Sequence, residues 1–264
     1  MICASSQRMK YRKRFGQNFL TDEVVINRIL SAIDLRESDK VIEIGPGGGA
    51  ITSGLYEIVR DGYRAIEIDR DLVLALRVAY PKLRLVNEDV LKVDFEQLLP
   101  ERSFSRIVGN LPYNLTTPIF FKLLSVKDRS KIRDLHFMIQ KEVAERLTAS
   151  PGTKNWGRLS ILIQIYFQVQ QLFDVAPGSF KPEPKVWSSF VKLVPKASDL
   201  DEKKMELLDR VLRAAFSGRR KTIRNSLKNF GIDWSGFEVE STRRADDLTI
   251  NDYLSVVDFL SETI

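Results

Sequence analysis

Val41-Ile42-Glu43-Ile44-Gly45-Pro46-Gly47-Gly48-Gly49-Ala50 decides how this chain folds. Its first four residues are apolar and β-branched around one carboxylate, the composition of a short buried strand. The glycines that follow tolerate positive φ and let a ligand come close to the backbone. A helical pattern over 51–60 comes next. Such a turn from strand to helix, at the carboxyl end of a sheet, is where nucleotide-like cofactors bind.

Outward from that turn, short β-rich runs alternate with helical patterns over 40–194. Strands are expected at 41–44, 64–68, 83–86, 106–108, 134–139, 161–169 and 186–194, and helices at 51–60, 71–79 and 119–124. The alternation implies mainly parallel strands with crossover helices, and the turn-separated final pair implies an antiparallel addition. The fold class expected is α/β, a Rossmann-like doubly wound seven-stranded sheet. Pro195 and the polar stretch 196–202 read as a linker. Beyond it, Met205, Leu208, Val211, Leu212, Ala215 and Phe216 recur at helical spacing. Ile223, Leu227 and Phe230 line the face of a second helix that stops at Gly231. A third begins after Thr249 and buries Tyr253, Val256, Val257 and Leu260. The chain thus divides into a larger unit, 1–196, and a small all-helical one, 197–264.

The ligand narrows along the strand ends. Gly45, Gly47 and Ala50 satisfy the dinucleotide spacing, so a nicotinamide cofactor has to be weighed. Glu67, twenty-two residues past Gly45, stands at the end of the next strand, where a carboxylate accepts both hydroxyls of a ribose. Three details favour S-adenosylmethionine. Glu43 puts a carboxylate where a pyrophosphate would be repelled but a sulfonium tolerated. Asp89, after the third strand, suits an acceptor for the cofactor adenine's amino group. Asn110-Leu111-Pro112-Tyr113, after the fourth, joins a carboxamide, a backbone bent by proline and an aromatic face. The carboxamide oxygen and a freed carbonyl accept hydrogen bonds from an exocyclic –NH2, and the ring offers a stacking surface. Proline keeps Leu111 out of helical geometry, so those carbonyls can face a ligand. No hydride site accompanies them.

Composition removes other classes. The chain of 264 residues is 44% hydrophobic and 29% charged, which fits one large or two unequal globular domains. No apolar run approaches the ~20 residues that span a bilayer, and residues 1–14 lack the apolar stretch of a signal peptide. Cys3 is the single cysteine, too few for a disulfide framework or a cysteine-based metal site. The single histidine, His136, lies in the apolar run 135–139 and is expected in the core, not in catalysis. A cytoplasmic protein without membrane or metal is the resulting expectation. The net charge is +6, and it is concentrated. Arg8, Lys10, Arg12, Lys13 and Arg14 form one acid-free block, and the segment 210–228 forms another. Two such blocks point to a nucleic-acid partner.

With these motifs in place, the chain resembles the bacterial small-subunit rRNA adenine N6,N6-dimethyltransferases, relatives of the erythromycin-resistance rRNA methylases. The likeness runs nearly end to end. It is carried by Phe15-Gly16-Gln17-Asn18-Phe19-Leu20, by Glu43-Ile44-Gly45-Pro46-Gly47, by Glu67-Ile68-Asp69 and by Gly109-Asn110-Leu111-Pro112-Tyr113-Asn114. Gln140-Lys141-Glu142-Val143, Gly157-Arg158-Leu159-Ser160, Phe180-Lys181-Pro182-Glu183-Pro184-Lys185-Val186 and Arg219-Arg220-Lys221-Thr222-Ile223-Arg224 extend it. Gly47-Gly48-Gly49 is richer in glycine than the family pattern, which leaves the chemistry of the loop intact.

The resemblance implies a class I methyltransferase domain with a small C-terminal helical domain. It implies dimethylation of two adjacent adenines in a hairpin near the 3′ end of 16S rRNA, within the small ribosomal subunit. Carried over position by position, it makes Asn18, Leu20, Gly45, Glu67, Asp89 and Asn110 cofactor contacts, with Gln17 and Asn18 in a segment that closes over the cofactor. Thr21 is expected to cap the helix that starts near Asp22. Asn110, Leu111, Pro112 and Tyr113 would hold the target base, with Phe180 on its opposite face. Arg219, Arg220, Lys221 and Arg224 would contact rRNA phosphates, Arg220 and Arg224 one helical turn apart. A monomer is expected. Two other readings compete: a non-catalytic ribosome-assembly factor with this fold, and a resistance methylase acting on large-subunit RNA. The intact glycine loop, Glu67 and Asn110 speak for catalysis, and the segment 219–227 with the helical end speaks for the housekeeping enzyme.

Overall fold

A computed structural model describes residues 18–101, 103–198, 200–218, 220–236 and 239–263. The N-terminal basic block, Gln17 and Arg219 lie outside the described residues. The strands are β1 (Phe19–Leu20), β2 (Lys40–Ile44), β3 (Tyr63–Ile66), β4 (Arg84–Val86), β5 (Ser105–Asn110), β6 (Ile132–Gln140), β7 (Phe167–Val175), β8 (Phe180–Lys181) and β9 (Ser188–Pro195). Seven of them make one sheet in the order β4-β3-β2-β5-β6-β9-β7. The first five run parallel, while β9 is antiparallel to both its neighbours. The expected fold class is therefore the observed one. β1 and β8 form a separate antiparallel pair.

Ten helices among the described residues surround the sheet: α1 (Glu23–Ile33), α2 (Thr52–Val59), α3 (Arg70–Ala79), α4 (Phe95–Leu98), α5 (Thr116–Leu124), α6 (Lys141–Leu147), α7 (Arg158–Tyr166), α8 (Glu202–Ala215), α9 (Ile223–Ser226) and α10 (Ile250–Thr263). Successive strand residues face opposite sides, so each strand feeds two cores. Ile42, Ile107, Leu135 and Phe137 pack with α5, α7 and the C-terminal helices. Val41, Tyr63, Val108 and Met138 pack with α1 and α2. Both faces are covered, as parallel strands require. The apolar faces of α8 and α10 run into the same cluster as α7, so both helices share a core with the sheet. No helix among the described residues is long and apolar enough to cross a membrane.

Three local expectations need correction. The run at 161–169 is not one strand. Residues up to Tyr166 close α7, and the chain turns extended only at Phe167. Ile161, Leu162, Ile163 and Ile165 are all buried, and an apolar run buried all round lacks the periodicity that separates helix from strand. Asp22, not Thr21, caps α1, its Oδ1 accepting from the Val24 and Val25 N–H groups at 3.0 and 3.3 Å. The second C-terminal helix is only α9, followed by a 3-10 turn over Lys228–Phe230. Arg220 precedes α9, so it does not share a helix face with Arg224. Ile223 and Leu227 are buried, and Gly231 ends the segment at φ +67°.

Two features of the parallel strands position the site. The chain leaves β2 for β3 on one side and returns to β5 on the other, which opens a crevice at their carboxyl ends. Beneath it β5 approaches β2 closely at Gly109, where a Cβ would stand 2.5 Å from the Ile44 carbonyl oxygen. At the opposite, amino ends a buried ionic group ties three strands. Arg106 donates to both Asp134 oxygens at 2.8 and 2.9 Å and to Asp39 at 3.2 Å. His136 is fully buried on β6, its Nδ1 lying 3.4 Å from Asp134 without hydrogen-bond alignment. Burial lowers its pKa and keeps it neutral, which agrees with a core role.

Candidate active site

A cavity of about 250 Å³ occupies the crevice. Its floor is the glycine turn. Gly45 donates to the Ile66 carbonyl at 2.9 Å and, like Gly47, sits at positive φ, +66° and +56°. A Cβ on Gly47 would come within 3.1 Å of the Phe19 ring, so the turn and the N-terminal segment close on each other.

Two carboxylates flank the turn and differ in character. Glu67, just past β3, accepts from the Gly47 N–H at 3.0 Å through one oxygen and from the Asp69 N–H at 2.9 Å through the other. Glu67 lines the cavity. Burial raises its pKa, against those two hydrogen bonds. Glu43 is only 1% exposed. It accepts from the Thr52 hydroxyl at 2.9 Å and from the Tyr63 hydroxyl. Burial, reinforced by nearby Glu67, pushes its pKa up to about 8 against the Thr52 hydrogen bond. Burial thus disfavours the standing negative charge read for Glu43 from the sequence. Asp89 lines the cavity half-buried, its Oδ1 accepting from the Leu91 N–H at 3.0 Å. Ile68 is 43% exposed, an apolar side chain presented to the same cavity, and Val90 lines it too.

At the other end stand Asn110, Leu111, Pro112 and Tyr113. The Asn110 amide is oriented: its Nδ2 donates to the Asn18 carbonyl at 2.9 Å, which leaves Oδ1 as a free acceptor. The Leu111 N–H is held by the Met138 carbonyl at 3.0 Å. The Pro112 carbonyl is taken by the Leu115 N–H at 2.9 Å and the Thr116 hydroxyl at 3.1 Å. Among the described residues no donor takes the Leu111 carbonyl. The Tyr113 hydroxyl shares a 2.6 Å hydrogen bond with Ser188 on β9, which fixes its ring. Burial raises the pKa of this hydroxyl.

Asn18, Leu20 and Thr21 line one wall. They are tethered through β1 to β8 and by the Thr21 N–H to the Ser179 carbonyl at 2.9 Å. Phe180 belongs to that tether. It is 1% exposed in the core beneath it and does not line the cavity, so the stacking face expected of it is absent in this conformation. Phe190, which sequence reading passed over, lines the cavity instead and stacks on His136.

The family model for ribosomal RNA adenine dimethylase matches residues 8–262. The chain belongs to this family. It is 45% identical over 258 residues to ribosomal RNA small subunit methyltransferase A of Marinobacter nauticus, covering 96% of this chain and 92% of that one. The protein of the same name from Pseudomonas aeruginosa is 46% identical over 259 residues, 95% of each. Among solved structures, a dimethyladenosine transferase from Plasmodium falciparum superposes with TM-score 0.75 at 27% identity, covering 93% of this chain and 98% of that one. The 23S rRNA methyltransferase ErmE superposes with TM-score 0.67 at 26% identity, covering 92% and 100%.

S-adenosylmethionine is the methyl donor of the family, and the residues here fit it. A turn held at positive φ admits a ligand against its backbone, and the Glu67 carboxylate beside it would accept from a ribose. Asp89 offers another acceptor, beside the apolar surfaces of Ile68 and Val90. Besides Phe190, two parts of this dimethylase site were not predicted from sequence. Ser188 anchors Tyr113 from 75 residues away, a pairing that only the β6–β9 register creates. Gly109 precedes Asn110 in sequence, and a glycine inside a strand is a recognised sign of close backbone approach.

Proposed function

We propose that this chain transfers methyl groups from S-adenosylmethionine to N6 of two adjacent adenines in a hairpin near the 3′ end of 16S rRNA. It does so in the cytoplasm, on the small ribosomal subunit, as a step in that subunit's biogenesis. The observation that carries this reading is the oriented Asn110 amide beside the open Leu111 carbonyl, with the Tyr113 ring next to both.

The chemistry follows from what those groups can accept. The cofactor supplies an electrophilic methyl group. Adenine's amino nitrogen is a weak nucleophile because its lone pair is delocalised into the ring. Asn110 Oδ1 and the Leu111 carbonyl accept its two hydrogens, which favours a pyramidal nitrogen whose lone pair is free to attack. Tyr113 stacks on the flipped base, an interaction worth ~1–3 kcal/mol. A general base is not required, since the proton leaves after transfer, to water. Positioning then supplies most of the acceleration, for which oriented reactants gain about 7–11 kcal/mol.

Asn18 and Leu20 complete the cofactor wall with Gly45, Glu67 and Asp89. Residues 197–264 act as the rRNA-binding unit. Arg220, Lys221 and Arg224 are exposed there, consistent with contacts to phosphates, which set register without reading sequence. Arg219 is assigned with them on sequence alone.

The test is transfer of labelled methyl groups from S-adenosylmethionine to small subunits from cells lacking this modification. Incorporation of up to four methyls per subunit, recovered as N6,N6-dimethyladenosine at neighbouring positions, is expected. Tight subunit binding without incorporation would make the chain an assembly factor, and label in the large subunit would make it a methylase of the other RNA.

A further inference from the structure

Between the buried ends Phe180 and Ser188, residues 181–187 form an exposed arch. Two prolines, Pro182 and Pro184, restrict its backbone. Both ends are pinned. Phe180 pairs with Leu20 in the β1–β8 ladder, and the Trp187 carbonyl accepts from the Lys141 N–H at 2.9 Å. At the Ser188 end of this arch Trp187 is 51% exposed and Val186 44%. Among the described residues, the Trp187 ring stacks on no aromatic side chain and on no cation. A tryptophan usually buries most of its ring, so one left open on a pinned segment is a surface awaiting a partner.

Its place in the fold says which partner. Ser188, the next residue, bonds the Tyr113 hydroxyl and pairs with Gln140 at the carboxyl end of β6. Trp187 therefore stands at the same edge of the sheet as Asn110, one residue from the anchor of the base-stacking tyrosine. The arch also carries Lys181 and Lys185, exposed and without a carboxylate partner among the described residues, against a single acid, Glu183. An open aromatic face with cations beside it is the pattern that holds single-stranded nucleic acid.

We propose that Trp187 is a positioning residue for the RNA: it stacks on an unpaired base next to the adenine held by Tyr113, while Lys181 and Lys185 neutralise the adjoining phosphates. This rests on the reading of the site as an rRNA adenine methyltransferase. Flipping one base out of a loop leaves its neighbour unstacked, and Trp187 supplies the lost face.

Steady-state methyl transfer to unmodified small subunits tests this with three variants. Trp187→Ala is expected to raise KM for the subunit roughly tenfold, the scale of one lost stack. It should leave kcat and the affinity for S-adenosylmethionine within about twofold. Trp187→Phe is expected to restore most of the loss, and Trp187→Leu little of it. An unchanged KM in Trp187→Ala overturns the proposal. So does equal rescue by leucine, which would mark an apolar contact with protein. Failure of the wild-type chain to methylate at all would instead defeat the underlying reading.

Discussion

The two ends of the same parallel strands carry opposite kinds of polar chemistry. At the amino ends of β2, β5 and β6, Arg106 is enclosed by Asp39 and Asp134, and its donors meet protein acceptors within 3.2 Å. At the carboxyl ends, Asn110 Oδ1 and the Leu111 carbonyl have no protein donor among the described residues. The first arrangement is closed and its role is to hold strands in register. The second is held rigid but left incomplete. Incompleteness at a pinned site is what a binding site needs, because buried acceptors without partners cost free energy until a ligand supplies the donors.

The contrast yields predictions in decreasing order of effect. Asn110→Ala removes the oriented acceptor and should lower the rate of methyl transfer by roughly 10²–10³-fold, a loss of the size seen when one transition-state hydrogen bond is deleted. Subunit affinity and the urea midpoint should barely move. Equal losses in binding and rate would show that the amide is structural, as Arg106 is.

Asp134→Ala should do the reverse. It leaves Arg106 buried with half its compensation and should cost about 3–5 kcal/mol in unfolding free energy, while kcat of the folded enzyme stays near wild type. Burial works against the Asp134 charge but is outweighed by His136 and the Arg106 guanidinium, which hold its pKa near 2. Of these the guanidinium acts at neutral pH, since His136 is neutral there. The wild-type contribution is thus present above the ordinary carboxylate range and fades as pH falls toward 2. The variant should lack that acid limb in denaturation measured across pH.

Glu43 lies at the carboxyl end yet is as enclosed as Arg106, without a counter-charge. With a folded pKa of about 8 against 4.5, the native state holds its proton more tightly than the unfolded chain. Stability is therefore full below pH 4.5 and declines as pH rises through 8. Glu43→Gln keeps acceptors for Thr52 and Tyr63 and removes the titration. It should match wild type at pH 5 and exceed it by roughly 2–4 kcal/mol at pH 9. A constant gap at both pH values would mean that Glu43 is ionised throughout.

The smallest effect on the fold belongs to charges that stay in water. Replacing Arg220 and Arg224 by alanine should leave unfolding unchanged within about 0.5 kcal/mol. Subunit binding should weaken and the slope of log K against log salt should flatten by about 2. An unchanged slope would return both residues to an ordinary solvated surface.

Much of this was readable in advance. The glycine turn announced itself because glycine adopts the positive φ at Gly45 and Gly47 without the cost of a Cβ, and Asn110-Leu111-Pro112-Tyr113 because its chemistry is local to four residues. The run at 161–169 was misread for the opposite reason: apolar residues buried on every side carry no periodicity. Phe180 is buried beneath the site in this conformation, and nothing local distinguishes a phenylalanine beside a site from one beneath it.

Local composition and backbone stereochemistry thus settled where strands give way to turns, which strand ends carry carboxylates, and which tetrapeptide can hold an amine. Those are properties of near neighbours along the chain. Long-range register settled the rest. It buried Glu43, joined Tyr113 to Ser188 and aimed the Asn110 amide by a carbonyl 92 residues away. It also buried Phe180 while leaving Trp187 open. Burial and hydrogen-bond partners depend on what the fold brings alongside, and that information is spread over the whole sheet.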